Sequence, residues 1–296
     1  MLQDLTPICR IAVEAARAIM EIYERPESWA VQTKTDASPV TKADLLANEI
    51  IVTALATLTP EIPVLSEESP WVGGDAATYW AVDPLDGTKE FLKRNGEFTV
   101  NIALVVEGVA QIGVICAPAL KTLWAGVCGG TTSGSALPWV ARAKLSALDP
   151  QTIATSAWQK ISVTNNPAHQ SIISHSVAPL ARSSLPAFPT PPLRIVGSRS
   201  HGGFDYPQWL VPLVSGATMI TRGSSLKFCL IAQGEADLYV RTGPTCTWDT
   251  AAGHAILAAA GGQVVHAQTR AVLTYPDPRQ VRNPDFVAYA PRKIAL

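Results

Sequence analysis

Ala81-Val-Asp-Pro-Leu-Asp-Gly-Thr88 places two acids three residues apart, directly after an apolar segment and around a proline. A turn of this composition can direct both carboxylates, and the Leu85 carbonyl, toward one point. Mg²⁺ prefers oxygen ligands and keeps several waters, so carboxylates from separate segments together with a substrate phosphate suit it well. The stretch therefore indicates a divalent-metal site at the end of a strand.

Two acids elsewhere extend this candidate site. Glu67 ends the short apolar strand expected within residues 62–69, and Asp249 opens a helix. Each acid alone has an ordinary explanation, because Asp-Pro and Asp-Gly form turns and an acid at a helix N-terminus is favoured by the dipole. The four acids together favour a metal site.

The hydrophobic pattern predicts an α/β protein with mixed and antiparallel sheets. Apolar residues at three-to-four spacing predict helices over 4–24, 43–58, 224–233 and 248–260. Runs rich in Val, Ile and aromatic residues predict strands over 62–69, 79–82, 99–106, 110–117, 122–127, 193–197, 236–240 and 262–265. Residues 31–36 are expected to be extended, with turns at Ser38-Pro39 and Glu107-Gly108.

The chain divides into three parts on this pattern. Residues 1–128 form an α+β lobe carrying most of the candidate ligands, and residues 194–296 form an α/β lobe carrying Asp249. Residues 129–193, rich in Pro, Ser and Ala, are expected to be long loops. This connection could be an inert loop, a lid over a ligand or a contact with another subunit. Its Trp139 and Trp158 could cover a substrate, or simply pack locally.

Composition excludes several classes of protein. With 23 basic and 24 acidic residues the net charge is -1, which gives no bulk field for nucleic acid or an anionic membrane. The five scattered cysteines indicate neither a disulfide framework nor a cysteine zinc site. No basic leader and no span of about 18 apolar residues is visible. We expect a soluble, cytoplasmic protein with at most a peripheral association with the inner membrane.

Three motifs together resemble the inositol monophosphatase superfamily of Mg²⁺-dependent, lithium-sensitive phosphatases. They are Glu67-Glu68, Asp83-Pro-Leu-Asp-Gly-Thr88 and Trp248-Asp-Thr-Ala-Ala-Gly253, in the family's order. Further stretches are similar to its CysQ-type 3'(2'),5'-bisphosphate nucleotidases, namely Asp36-Ala-Ser-Pro-Val-Thr-Lys-Ala-Asp44, Gly197-Ser-Arg-Ser-His201, Gly223-Ser-Ser-Leu-Lys-Phe-Cys229 and Gly243-Pro-Thr-Cys-Thr-Trp-Asp249. The resemblance covers residues 1–128 and 194–290 and implies a layered αβαβα sandwich of the inositol monophosphatase and fructose-1,6-bisphosphatase type.

The resemblance also implies roles for the acids. Glu67, Asp83 and the Leu85 carbonyl would hold one Mg²⁺, and Asp83, Asp86 and Asp249 a second, with Glu68 nearby or on a weaker third ion. Two such ions clamp a phosphoryl group, one acidifying a water and the other stabilising the leaving oxygen.

The family's water-activating pair corresponds to Asp44 and Thr88. Thr41-Lys-Ala-Asp44 is also the capping-box pattern before an apolar helix, which would make Asp44 structural. The two roles are compatible.

The remaining implied contacts concern the substrate. Gly87 and Thr88 open a short helical turn whose N–H groups would hold the scissile phosphate. Ser198, His201, Gly223 and Lys227 would contact a nucleotide and its second phosphate. His201 has the alternative of a cap donor after a strand, and the other four histidines show no metal-ligand spacing and are expected to be structural.

The resemblance implies hydrolysis of the 3'-phosphate of 3'-phosphoadenosine 5'-phosphate (PAP), or of its phosphosulfate PAPS, in sulfur assimilation. Inositol 1-phosphate or another sugar phosphate is the alternative substrate, and both monomer and homodimer stay open. Three rival classes are weaker. A haloacid-dehalogenase-type phosphatase would need Asp-x-Asp, whereas this chain has Asp-x-x-Asp. A non-catalytic Mg²⁺ or nucleotide sensor would not need the complete set of residues. A dinucleotide-binding oxidoreductase would depend on Gly129-Gly130 to Gly134, which lacks the Gly-x-Gly-x-x-Gly spacing.

Overall fold

The computed structural model describes residues 4–35, 38–128, 138–155, 158–161, 193–199 and 206–290. Within these ranges the chain forms helices, a two-stranded ribbon and two larger sheets. The helices are α1 (Thr6–Tyr23), α2 (Lys42–Leu58), α3 (Thr88–Leu92), α4 (Val211–Val214), α5 (Leu226–Ala232) and α6 (Thr247–Ala259). Short 3-10 helices cover Pro26–Ser28 and Pro150–Thr155.

The N-terminal strands form the ribbon and the larger of the two sheets. The ribbon pairs β1 (Gln32–Thr33) with β2 (Pro39–Val40). The seven-stranded sheet runs, in spatial order, through β3 (Val64–Ser66), β4 (Thr78–Asp86), β5 (Thr99–Val106), β6 (Val109–Ala117), β7 (Thr122–Val127), β8 (Trp139–Lys144) and β9 (Trp158–Lys160). β3 is parallel to β4, and each later pair is antiparallel.

The C-terminal strands form a five-stranded mixed sheet. Its members are β10 (Arg194–Ser198), β11 (Thr218–Arg222), β12 (Leu238–Arg241), β13 (Gln263–His266) and β14 (Phe286–Tyr289). Their spatial order is β11-β10-β12-β14-β13, with β10 parallel to β11 and β12, and β14 antiparallel to both of its neighbours.

The layers follow from three buried clusters. The first lies between α1, α2 and one face of the seven-stranded sheet, and includes Ile8 and Ile102. The second lies between the other face, α5, α6 and the five-stranded sheet, and includes Phe228 and Ile256. The third covers the far face of the five-stranded sheet with residues that include Leu210 and others near α4. The order is therefore α, β, α, β, α, which confirms the expected layered sandwich with mixed and antiparallel sheets.

Helix α6 lies directly on the seven-stranded sheet because β6 has a glycine at the contact. A Cβ on Gly113 would lie 2.2 Å from the Ala252 carbonyl oxygen and 3.1 Å from the Ala255 Cβ. Only the absence of a side chain permits this approach. The contact fixes the height of the helix that carries Asp249 above the sheet.

The predicted helices and strands are confirmed to within a few residues. The turn at Glu107-Gly108 is also confirmed, since both residues have positive φ (50° and 78°), as a two-residue hairpin that follows strand twist requires. The expectation of loops is wrong for residues 139–144 and 158–160, which extend the sheet as β8 and β9. These strands are short and partly made of Ala and Lys, residues with weak strand preference, so the sequence pattern does not distinguish them from loop. Strands β11 and β14 were likewise not predicted.

Candidate metal centre and cavity

A bulge in β4 sets the direction of its acids. Where β4 pairs with β5, the register shifts between Asp83 and Asp86. Pro84 has no N–H to give to the ladder, and the Leu85 N–H instead donates to the Asp83 Oδ1 at 3.1 Å. In a regular strand residues three apart point to opposite faces, but here both acids border one cavity.

Three carboxylates converge at this point. Glu67 follows β3, and its N–H donates to the Val82 carbonyl at 3.1 Å, which continues the pairing with β4. Asp249 lies in the first turn of α6, where its Oδ2 accepts from the Cys246 N–H at 2.6 Å. Carboxylate oxygens of Glu67, Asp83 and Asp249 lie within 4.8 Å of one another.

The acids are held close together in a poorly solvated position. Burial and then the charge of Glu67 raise the pKa of Asp83 well above its usual range. Burial, followed by the charge of Asp86, raises the pKa of Asp249 to about 7, and burial raises the pKa of Glu67. Burying like charges is unfavourable unless a cation compensates them. This set of hard oxygen donors fits a divalent cation such as Mg²⁺.

Asp86 lines the same cavity but has its own partners. The Ser225 hydroxyl donates to its Oδ2 at 2.7 Å, and the Asn101 amide donates to the same oxygen at 3.2 Å. Asn101 also donates to the Ser225 oxygen at 2.7 Å. The sequence did not indicate these two partners. Asn101 lies on β5 and Ser225 at the start of α5, 15 and 139 residues from Asp86 along the chain.

Asp44 has two sets of contacts, one on each oxygen. Its Oδ2 accepts from the N–H and hydroxyl of Thr41, at 2.7 and 2.6 Å, and completes the capping box of α2. Its Oδ1 accepts from the Thr88 hydroxyl at 3.0 Å, and Thr88 also lies 3.4 Å from the Leu85 carbonyl oxygen. Burial raises the pKa of Asp44 above its ordinary value. The structural contact and the contact to Thr88 therefore coexist.

Lys34 contacts Glu67 and Glu68, which the sequence did not reveal. Its Nζ lies 2.8 Å from the Glu67 Oε1 and 2.5 Å from the Glu68 Oε1. Lys34 lies between β1 and β2, 33 residues from Glu67 along the chain, so the contact is made only in the folded chain. The lysine offsets part of the negative charge of the cluster.

The cavity above these acids has a volume of about 590 Å³. It is also lined by the predicted substrate contacts Gly87, Ser198, Gly223 and Lys227. Gly87 has φ 95°, a left-handed conformation that favours glycine at the start of α3. His201 lies outside the described residues.

Other predicted features lie away from the cavity. Trp139 and Trp158 contact each other, with ring centroids 6.0 Å apart, and are not among the described residues that line the cavity. His254 bonds to the Tyr275 hydroxyl at 3.1 Å, which fits a structural role, while His169 and His175 lie outside the described residues.

Two further expectations concern the whole chain. All five cysteines lie within the described residues and are free there. Across the described ranges, each helix is too short or too polar to cross a membrane.

Comparisons with known proteins agree with this geometry. The model of the inositol monophosphatase family matches residues 2–295. The 3'(2'),5'-bisphosphate nucleotidase CysQ of Salmonella typhimurium is 40% identical over 285 residues, covering 95% of this chain and 98% of the relative. The protein of the same name from Escherichia coli K12 is 39% identical over the same shares.

Solved structures give the same fold. The crystal structure of CysQ from Bacteroides thetaiotaomicron, a bacterial member of the inositol monophosphatase family, superposes with a TM-score of 0.69 at 36% identity, covering 98% of this chain and 97% of that one. The suhB protein of Bartonella henselae superposes with a TM-score of 0.64 at 22% identity, covering 96% and 93%, and supports the fold alone.

Proposed function

This chain belongs to the inositol monophosphatase family, and on that premise we propose that it is a Mg²⁺-dependent 3'(2'),5'-bisphosphate nucleotidase that releases the 3'-phosphate of PAP. The observation that carries the proposal is the convergence of Glu67, Asp83 and Asp249 beside the Thr88–Asp44 contact in one cavity. Relatives named 3'(2'),5'-bisphosphate nucleotidase at 39–40% identity support the substrate class.

The ligands for two or three Mg²⁺ ions would come from both halves of the chain. Glu67, Asp83, the Leu85 carbonyl and Asp86 come from the first half, and Asp249 from the second. When bound, Mg²⁺ would neutralise negative charge on the phosphoryl oxygens and lower the pKa of water. The raised pKa values of Asp83 and Asp249 support this assignment, because a cation removes the repulsion that contributes to them.

Thr88 and Asp44 would orient the attacking water. The Thr88 hydroxyl donates a hydrogen bond to the Asp44 Oδ1, so the lone pairs of the Thr88 oxygen can accept a hydrogen bond from water. The water oxygen forms the new bond to phosphorus while the bond to the ribose 3'-oxygen breaks. One water proton moves through Thr88 to the Asp44 carboxylate, whose burial makes it a stronger base. The ribose oxygen takes its proton from solvent.

The rest of the cavity would hold the nucleotide. A volume of about 590 Å³ is in the range for a small-molecule site. Gly87 and Thr88 would contact the scissile phosphate, and Ser198, His201, Gly223 and Lys227 the remainder of the nucleotide. Lys227 supports this, since its buried side chain lines the cavity and offers a positive charge to an anionic ligand.

A phosphate-release panel tests the proposal. PAP, PAPS, inositol 1-phosphate and fructose 1,6-bisphosphate are compared at saturating Mg²⁺. We expect the highest kcat/KM for PAP. A higher kcat/KM for inositol 1-phosphate would contradict the nucleotidase assignment while keeping the phosphatase one.

A further inference from the structure

Glu97 connects the two halves of the chain at one side of the cavity. Its carboxylate accepts two parallel hydrogen bonds from Arg199, from Nε at 2.7 Å and from Nη2 at 2.8 Å. The same carboxylate accepts from the Gly223 N–H at 2.8 Å. These partners lie 102 and 126 residues further along the chain, directly after β10 and β11. Glu97, Arg199 and Gly223 are called the Glu97 clamp below.

Glu97 itself is held in the half of the chain that carries most of the acids. Its N–H donates to the Asn95 Oδ1 at 3.0 Å. The next residue, Phe98, is fully buried in the first core cluster, and Thr99 pairs with Asp86 across β4 and β5. The carboxylate of Glu97 therefore has a fixed position relative to the acid cluster.

The other two members of the clamp hold a wall of the cavity. Ser198 directly precedes Arg199, and both Ser198 and Gly223 line the cavity. The Arg199 N–H donates to the Arg222 carbonyl at 3.3 Å, which extends the pairing of β10 with β11. In the described sheet order β11 is an edge strand, so the clamp supports this wall where the sheet does not continue.

The backbone of Glu97 lies tightly between two glycines of the cavity. A Cβ on Gly223 would lie 2.7 Å from the Glu97 carbonyl oxygen and 2.6 Å from the Glu90 Cγ. A Cβ on Gly87 would lie 3.2 Å from the same carbonyl oxygen. Close packing of this kind transmits a displacement of one side to the other. The clamp therefore sets the spacing between the turn at Gly87 and the wall at Gly223.

The charges of the clamp suit positioning better than stabilisation of the fold. Burial acts to raise the pKa of Glu97, but the hydrogen bonds from Arg199 and Gly223 prevail and hold the pKa below its ordinary value. The side chain of Arg199 is 40% exposed and that of Glu97 is 12% exposed. Ion pairs with an exposed partner contribute little to stability, whereas the two parallel hydrogen bonds of a guanidinium fix direction.

We propose that Glu97 is a positioning residue, which through Arg199 and Gly223 sets the affinity of the cavity for the nucleoside part of the substrate. The inference rests on the proposed function and deepens it. Positioning and simple electrostatics predict opposite signs. If Glu97 acted only through its charge, its removal would favour an anionic substrate and lower KM. Loss of the clamp instead displaces the wall and raises KM.

The test measures steady-state phosphate release from PAP at saturating Mg²⁺ in Glu97→Gln and Arg199→Gln. Each variant should raise KM by about 3- to 30-fold, the range expected for groups coupled in one network, with kcat little changed. Because both variants break the same contact, the double variant should raise KM no further than the stronger single variant.

Arg194→Gln is the matched control. Arg194 begins the same strand β10 and also makes two parallel hydrogen bonds to a carboxylate, that of Asp237, at 3.0 and 2.8 Å. It is not among the described residues that line the cavity. This variant should keep the KM of the wild type.

Calorimetric binding of the products gives a readout that needs no turnover. In the presence of Mg²⁺, Glu97→Gln should bind AMP more weakly than the wild type by about the factor seen in KM. Inorganic phosphate, which lacks the nucleoside, should bind equally to both proteins.

The outcomes separate the clamp from the proposed function. If the wild type releases no phosphate from PAP, the proposed function fails, and AMP binding alone decides on the clamp. An AMP affinity of the wild type that does not exceed that of Glu97→Gln, or absence of AMP binding, overturns the clamp. So does an unchanged or lower KM in Glu97→Gln, a KM in the double variant that multiplies the two single effects, or an equal rise in KM in Arg194→Gln.

Discussion

Replacing Thr88 with valine removes one hydroxyl and keeps the shape of the side chain. In the wild type that hydroxyl lies 3.0 Å from the Asp44 Oδ1 and 3.4 Å from the Leu85 carbonyl. With a single proton, it donates well to only the nearer acceptor. Loss of a positioned proton-transfer group costs about 10²- to 10⁴-fold, so we expect kcat on PAP to fall by that factor. The free energy of unfolding should fall by only about 1.5–3 kcal/mol, the value of one hydrogen bond to a charged group.

Thr41→Ala is the matched control, because it removes a hydroxyl from the other oxygen of the same carboxylate. Thr41 donates to the Asp44 Oδ2 and accepts from the Ala43 N–H at 3.1 Å. Loss of this cap should cost about 1–2 kcal/mol in unfolding free energy, with a fall in kcat much smaller than that of Thr88→Val. Thr88→Ser should recover most of the activity.

The assay combines steady-state phosphate release with urea unfolding of each variant. If Thr41→Ala and Thr88→Val lower kcat equally, Asp44 acts only as a structural cap. If Thr88→Val keeps wild-type kcat, Thr88 does not orient the attacking water.

Three further predictions concern packing, pH and the surroundings of the ligands. Gly113→Ala should lower the free energy of unfolding in urea by about 1–3 kcal/mol, because the added Cβ would lie 2.2 Å from the Ala252 carbonyl oxygen. A variant as stable as the wild type would contradict the tight contact between α6 and the sheet. Burial lowers the pKa of His254 to about 4, below the ordinary 6.5, so the unfolded state binds a proton that the folded state does not. As pH falls from about 6.5 to 4, the unfolding free energy of the wild type should therefore fall by about 3 kcal/mol more than that of His254→Gln. Parallel pH profiles of unfolding free energy for the two proteins would contradict this. Ser225→Ala removes the 2.7 Å bond to Asp86 and should raise the Mg²⁺ concentration for half-maximal activity by about tenfold or more; an unchanged Mg²⁺ titration would show that Ser225 does not orient Asp86.

The parts of the fold that the sequence predicts are those with strong local patterns. Strands β5 and β7 match their predicted bounds because β-branched and apolar residues make up most of each run. The helix that carries Asp249 follows from its apolar spacing and its acid in the first turn. Strands β8 and β9 depend instead on adding to the edge of an existing sheet, a gain that short polar strands do not encode locally.

The candidate site divides in the same way. Its acids lie in motifs whose turn and cap chemistry is visible in the chain itself. Lys34 lies in a segment without such a signal, and its contact with Glu67 exists only in the folded chain. Contacts that depend only on tertiary neighbours therefore cannot be predicted from the local sequence pattern.

The Mg²⁺ dependence of phosphate release from PAP, compared between the wild type and Asp83→Asn, shows whether this acid cluster holds the catalytic ion. Asp83 is buried among the acids that would hold the ion, whereas Asp75→Asn makes the same change at an exposed position as a control. We predict Mg²⁺-dependent release in the wild type and Asp75→Asn, and a loss of about 10²-fold or more in Asp83→Asn, as for removal of a direct metal ligand. Equal rates in Asp83→Asn and the wild type, or release that persists without a divalent cation, would contradict the account.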